Sequence, residues 1–110
     1  TLAKRKFKEL KLTNITKIKD GMRNVNTDIL DVKTVDHKQY PKGRSNETFT
    51  RVVVGDDDDG EAVVYLFDGR GSWLVRGMKI KVLKGNVKSF GFSGETALTI
   101  GKKGNVYIVL

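Results

Sequence analysis

The stretch Arg51-Val52-Val53-Val54-Gly55-Asp56-Asp57-Asp58-Asp59-Gly60-Glu61-Ala62-Val63-Val64-Tyr65-Leu66-Phe67 decides how this chain is read. Two apolar arms enclose an acidic turn that ends in glycine, the pattern of a β-hairpin. Side chains alternate along a strand, so Ala62, Val64 and Leu66 share one face of the second arm while Val63, Tyr65 and Phe67 share the other. One of these faces must fill a core. The other carries two rings that a small domain does not expose without a reason. In a chain of net charge +8, flat rings on an open sheet face suit the stacking of nucleic-acid bases.

The charge supports that direction without deciding it. Lys and Arg number 21 against 13 acidic residues in a chain of 110, which is the size of one domain with one core. Such an excess is the electrostatic footprint of a phosphate-backbone binder. Solubility, or a lysine-rich composition suited to a hot environment, gives the same balance. Cysteine is absent, which excludes disulfides, thiolate metal sites and cysteine nucleophiles. That absence fits a reducing compartment, so an intracellular protein of cytoplasm, nucleoid or nucleus is expected. No run approaches the roughly 18 apolar residues of a membrane span, and no secretory pattern opens the chain. Neither a membrane partner nor a cofactor is expected. The chain starts at Thr1, so further residues are expected upstream.

Outward from the hairpin, the chain is rich in Val, Ile, Thr and Gly and lacks long helical periodicity. Residues 1–14 read as a basic N-terminal arm or an extra strand, and residues 15–110 as the folded domain. A long first strand is predicted over 25–35, with a phase shift at Ile29 and Leu30 that marks a β-bulge. Residues 37–46 read as a polar loop, broken by Tyr40-Pro41 and Gly43. Strands follow at 48–54 and 61–67. Residues 69–77 suit one short helical turn, with Ser72 as its cap and Gly77 closing it. A fourth strand spans 79–88, residues 90–95 form a glycine-rich loop, and 96–100 with 105–109 complete the sheet. Three strands, a short helix and two more strands is the order of the OB-fold, an all-β, five-stranded Greek-key barrel. Its binding face lies across strands two and three, flanked here by the loops 37–46 and 90–95.

Several short motifs then fall into a known order. These are Ile18-Lys19-Asp20-Gly21-Met22-Arg23-Asn24-Val25-Asn26, Val54-Gly55-Asp56 leading to Gly60 and Leu66-Phe67, and Leu74-Val75-Arg76-Gly77-Met78. Lys84-Gly85-Asn86-Val87-Lys88-Ser89-Phe90 and Ala97-Leu98-Thr99-Ile100-Gly101 follow. In this order the chain resembles archaeal single-stranded DNA-binding proteins and replication protein A-related OB domains, over about residues 15–109. The resemblance implies binding of single-stranded DNA, with RNA as the other candidate, in DNA replication or repair. It implies a stacking role for Phe67, where such proteins often carry tryptophan. Three departures stand out: an acidic turn one residue longer, a second phenylalanine at Phe92, and Val87 where several relatives place an aromatic. The role of the fourth-strand aromatic therefore passes to Phe90 or Phe92.

Single-strand binding needs rings for bases and cations for phosphates. Phe67 is the first candidate ring, and Tyr65 shares its face. Packing under the short helix is the competing reading for Phe67. Phe90 and Phe92 flank Gly91 and serve equally as platform or as core plug. Trp73, within the helical turn, reads as a barrel plug before a base platform. Tyr40 sits among cations in the 37–46 loop, as a clamp or a solvated turn residue. Phe49 and Arg51 share the outer parity of strand two, where Arg51 would stack or meet phosphate. Lys33, Lys38, Lys42, Arg44, Lys88, Lys102 and Lys103 are candidate phosphate contacts, about half of which are expected to matter. The four aspartates lack the alternate spacing and closing glutamate of a calcium loop and read as an acidic turn. With His37 the single histidine and no nucleophile motif, nothing points to catalysis. Two rival functions remain at this level: a protein-interaction module using the basic groove, and a structured-RNA or tRNA binder.

Overall fold

The computed structural model describes residues 11–110. Five strands, β1 (Leu30–Lys42), β2 (Ser45–Gly55), β3 (Glu61–Phe67), β4 (Lys79–Phe90) and β5 (Glu95–Ile108), close into a barrel in the order β1-β2-β3-β5-β4. All neighbours are antiparallel except β3 and β5, which run parallel with Val64 opposite Leu98. Closure falls between β1 and β4, where Leu30 faces Ile80 and Lys79 reaches Asp31 at 2.9 Å. This is the all-β Greek-key barrel read from the strand order.

The core follows the alternation. Val52 and Val54 of β2, Val64 and Leu66 of β3, Val82 and Val87 of β4 and Leu98 of β5 are buried together, with Ala62 packed beside them. Burying each such aliphatic side chain contributes about 1.5–3 kcal/mol, and β-branched residues suit a pleated surface. Ile15, in a 3₁₀ turn (Ile15–Lys17) capped by Asn14, is buried in the same cluster. The arm assigned to residues 1–14 lies for the most part outside the described residues.

Four expectations need correction. The first strand starts at Leu30, and its bulge falls between Val32 and Thr34. Residues 21–27 instead run irregularly along β4, with Val25 and Gly85 exchanging both backbone bonds at 2.8 and 2.9 Å. The polar loop 37–46 is in fact ladder, with β1 and β2 paired out to Lys42 opposite Ser45. Gly43 takes φ 62°, the sign a two-residue type II′ turn needs at its first central position, so the strands continue to the tip.

The short helix between β3 and β4 is absent. Asp68 and Gly69 both lie at positive φ, 57° and 75°, and consecutive left-handed residues break a right-handed helix. What remains is a chain of tight turns, with amides of Arg70, Ser72 and Leu74 donating to carbonyls three residues earlier. Leu74, 2 % exposed, fills the barrel from this segment, whereas Trp73 is 37 % exposed and plugs nothing. Finally, β5 is one strand rather than two. Residues 101–104 bulge from it opposite Lys84, between the pairs Gly85–Ile100 and Leu83–Asn105.

Candidate nucleic-acid interface

On the outer face of the barrel, opposite parity to the core, six rings from four strands and a turn gather. Phe49 of β2 pairs in register with Phe67 of β3, and Arg51 with Tyr65. Tyr40 arrives from the β1–β2 hairpin, Phe90 from the end of β4 and Phe92 from the turn before β5. Phe49 stacks near Phe67 at 5.7 Å and lies 4.8 Å from Tyr65. Tyr65 sits 4.7 Å from Phe90 and 6.0 Å from Phe92. Tyr40 stacks on Phe92 at 5.3 Å, so the β1–β2 hairpin touches the β4–β5 turn across the sheet. These offset and edge-on geometries are the favoured ones for aromatic pairs.

Exposure sorts the rings into a base and a rim. Tyr65 is 0 % exposed and Phe49 is buried with it, so both support the cluster from beneath. Tyr65 as an open stacking platform is thereby corrected: four neighbouring rings cover it. Phe67, Phe90 and Tyr40 are half-buried, and Phe92 is the most open at 41 %. The Phe90 and Phe92 rings lie 5.8 Å apart.

Under the rim lies a polar clasp. Arg51 donates from Nε to Glu95 Oε1 at 2.8 Å and from Nη2 to Glu95 Oε2 at 2.7 Å, a bidentate fork. The Tyr65 hydroxyl is hydrogen-bonded to Glu95 and lies 2.9 Å from Ser93 Oγ. The Arg51 fork, reinforced by Tyr65 and opposed by partial burial, holds the Glu95 carboxyl down to about 2. The same fork raises Arg51 further above its usual range, and burial followed by the Glu95 bond raises Tyr65. Arg51, expected to stack or meet phosphate, is thus paired with Glu95. Its work is to fasten the turn carrying Phe92 to β2 and β3.

The cations divide by location. Lys38 stands in register with Phe49, and together with Gln39, Arg51, Phe92, Ser93 and Glu95 it lines a groove along the rings. Lys42 and Arg44 are exposed at the hairpin tip, and Lys88 is exposed on β4 opposite Ala97 of the ring cluster. Lys33 is elsewhere: it pairs with Glu61 at 2.8 Å, at the acidic-turn end of the β2–β3 hairpin. Lys102 and Lys103 belong to the 101–104 bulge and line a pocket with Lys84 and Asn86 of β4. His37 shares a hydrogen bond with Thr50 at 3.1 Å. The four aspartates build a turn, in which Asp56 Oδ1 accepts from the Asp58 and Gly60 amides at 3.0 and 2.7 Å.

Glu95 and Ser93 had no signal in the sequence. Their roles depend on which strands become neighbours, which spacing along the chain does not reveal. Phe49 did have one, its parity with Arg51.

The chain matches no protein-family model, and no curated protein matches it by sequence. Solved structures do resemble it. The OB domain of a Thermoplasma acidophilum protein aligns over 89 % of this chain and 86 % of its own, at 17 % identity and a TM-score of 0.70. A replication factor A related protein from Methanobacterium thermoautotrophicum aligns over 90 % and 91 %, at 15 % identity and 0.67. Schizosaccharomyces pombe Pot1pC, solved bound to single-stranded DNA, aligns over 90 % and 86 %, at 10 % identity and 0.59. With the strand order and the β3–β5 parallel pair, these likenesses make the chain an OB-fold domain.

Proposed function

We propose that this domain binds single-stranded nucleic acid, DNA foremost, without catalysis and in the service of replication or repair. The observation that carries the reading is the six-ring cluster on the outer sheet face of a chain with net charge +8. Bases stack on the rim rings Phe92, Phe67, Phe90 and Tyr40, and Lys38, Lys42, Arg44 and Lys88 meet phosphates. Base–ring stacking tolerates any base, so weak sequence preference follows. Support comes from the fold's likeness to a replication factor A related protein and to Pot1pC, the latter bound to single-stranded DNA.

Fluorescence anisotropy with labelled oligothymidylate and oligouridylate, run side by side over a salt series, tests the reading. Tighter binding of the DNA strand is expected, with log affinity falling steeply against log salt as counterions are released. A flat salt response, or no binding to either strand, overturns it.

A further inference from the structure

The 101–104 bulge is not needed to close the barrel, yet it is held with care. Arg70, from the turns after β3, donates from Nη1 to the Gly101 carbonyl at 2.8 Å and from Nη2 to the Gly104 carbonyl at 2.7 Å. Gly104 fits under it because a Cβ there would stand 2.7 Å from the Lys84 carbonyl oxygen. Across from the bulge, Lys84 and Asn24 both adopt φ 54°, a left-handed conformation that costs a lysine more than an asparagine. The Lys84 amide donates to Asn26 Oδ1 at 3.0 Å, which fixes the kinked backbone. Left-handed backbone kept at two positions beside the bulge asks for a reason.

The result is a cradle lined by Asn24, Lys84, Asn86, Lys102, Lys103 and the two glycines. Among the described residues no carboxylate lines it, and none of its three lysines is in an ion pair. Three ammonium groups with no counter-charge repel one another, and an anion between them relieves that repulsion. Two asparagine side chains add neutral hydrogen-bonding groups.

The register links this cradle to the ring face. Arg51 of β2 pairs with Tyr65 of β3, Tyr65 with Thr99 of β5, and Thr99 with Asn86 of β4. One row of residues on one face therefore runs from the ring cluster to the cradle. The two are separated by two strand spacings, about 10 Å. Lys88, on the same side of β4, stands between Phe90 and Asn86.

We propose that the Lys84–Lys102–Lys103 cradle is a second phosphate subsite, which takes the phosphodiester backbone of a single strand as it leaves the rings. This rests on the function proposed above and adds a length requirement to it. A short oligonucleotide occupies the rings alone, and a longer one fills both places.

The experiment compares the wild type with a triple variant, Lys84→Asn, Lys102→Gln and Lys103→Gln, on an oligothymidylate length series. Asparagine accepts the left-handed backbone at 84, so the fold is kept. An unchanged melting temperature confirms this, and the doubly substituted Lys102→Gln, Lys103→Gln protein replaces the triple variant if it shifts. Unchanged affinity is expected for the shortest strands that bind. For long strands the triple variant loses about tenfold at low salt, and its salt slope falls by about 2, near 0.7 per lysine lost. Equal loss on short and long strands, or none on either, overturns the cradle while leaving the ring face standing. Wild-type protein that binds no oligonucleotide of any length overturns both.

Discussion

At the scale of single residues, the rings divide into those that hold the face together and those that meet a ligand. Phe92 is open, rides on a turn and touches Tyr40 and Phe49 at 5.3 Å each. Replacing it with alanine removes a stacking surface and less buried area than replacing Phe67 does. Phe92→Ala is therefore expected to weaken oligonucleotide binding about tenfold, within the 1–3 kcal/mol of one stacked base, with the melting temperature nearly unchanged. Phe67 is half-buried between Tyr40, Phe49 and Phe90. Phe67→Ala should lower both affinity and melting temperature, the latter by about 4–8 °C for each kcal/mol of packing lost. Titration and thermal melts of the two proteins check this, and the reverse pattern would move the binding face. Glu95 gives a pH prediction. Its folded carboxyl titrates at about 2 against a usual 4.5, so its contribution is fully present above pH 4.5 and is lost as pH falls toward 2. Glu95→Gln should flatten the fall in melting temperature across that window, measured by circular dichroism.

At the scale of elements, the segment between β3 and β4 shows what reading the chain can and cannot do. The β3 boundaries and the inward set Ala62, Val64 and Leu66 were legible, because a period of two over seven residues leaves little choice. That residues 69–77 form tight turns and no helix was not. Ser72 and Gly77 look like cap and terminator, but the left-handed pair Asp68 and Gly69 is a backbone fact without a sequence period. One consequence is that the plug shifts by a single residue, from Trp73 to Leu74. Leu74→Ala should cost about 2–5 kcal/mol, as buried leucines do, while Trp73→Ala should stay near neutral. Urea unfolding of both proteins measures it, and the opposite ranking would return the tryptophan to the barrel. The hairpin of β1 and β2 departs from the polar loop expected at 37–46 for a related reason. Its polar composition reflects two exposed faces beyond the barrel, not a lack of pairing.

At the scale of the whole molecule, the register rather than any motif assembles the site. Arg51 and Glu95 are far apart in the chain, and only the barrel's closing order brings them to one clasp. The same order separates charges of opposite sign. The Asp56–Asp59 turn caps one end of the β2–β3 hairpin, and the Phe49–Phe67 pair lies six ladder pairs away. At about 3.3 Å per residue the acidic turn stands some 20 Å from that pair, which carries the rim ring Phe67. That distance is about twice the Debye length at 0.1 M salt but within the roughly 30 Å of 0.01 M. The aspartates therefore act on a bound polyanion only when salt is low. Asp57→Asn with Asp58→Asn, which spares the turn-making Asp56, should leave affinity unchanged near 0.1 M salt. The same pair should strengthen binding about twofold near 0.01 M, where their repulsion is unscreened. An effect that persists at the higher salt would mean that the strand reaches the acidic end, and that its path crosses the barrel along β2 and β3 rather than toward β4.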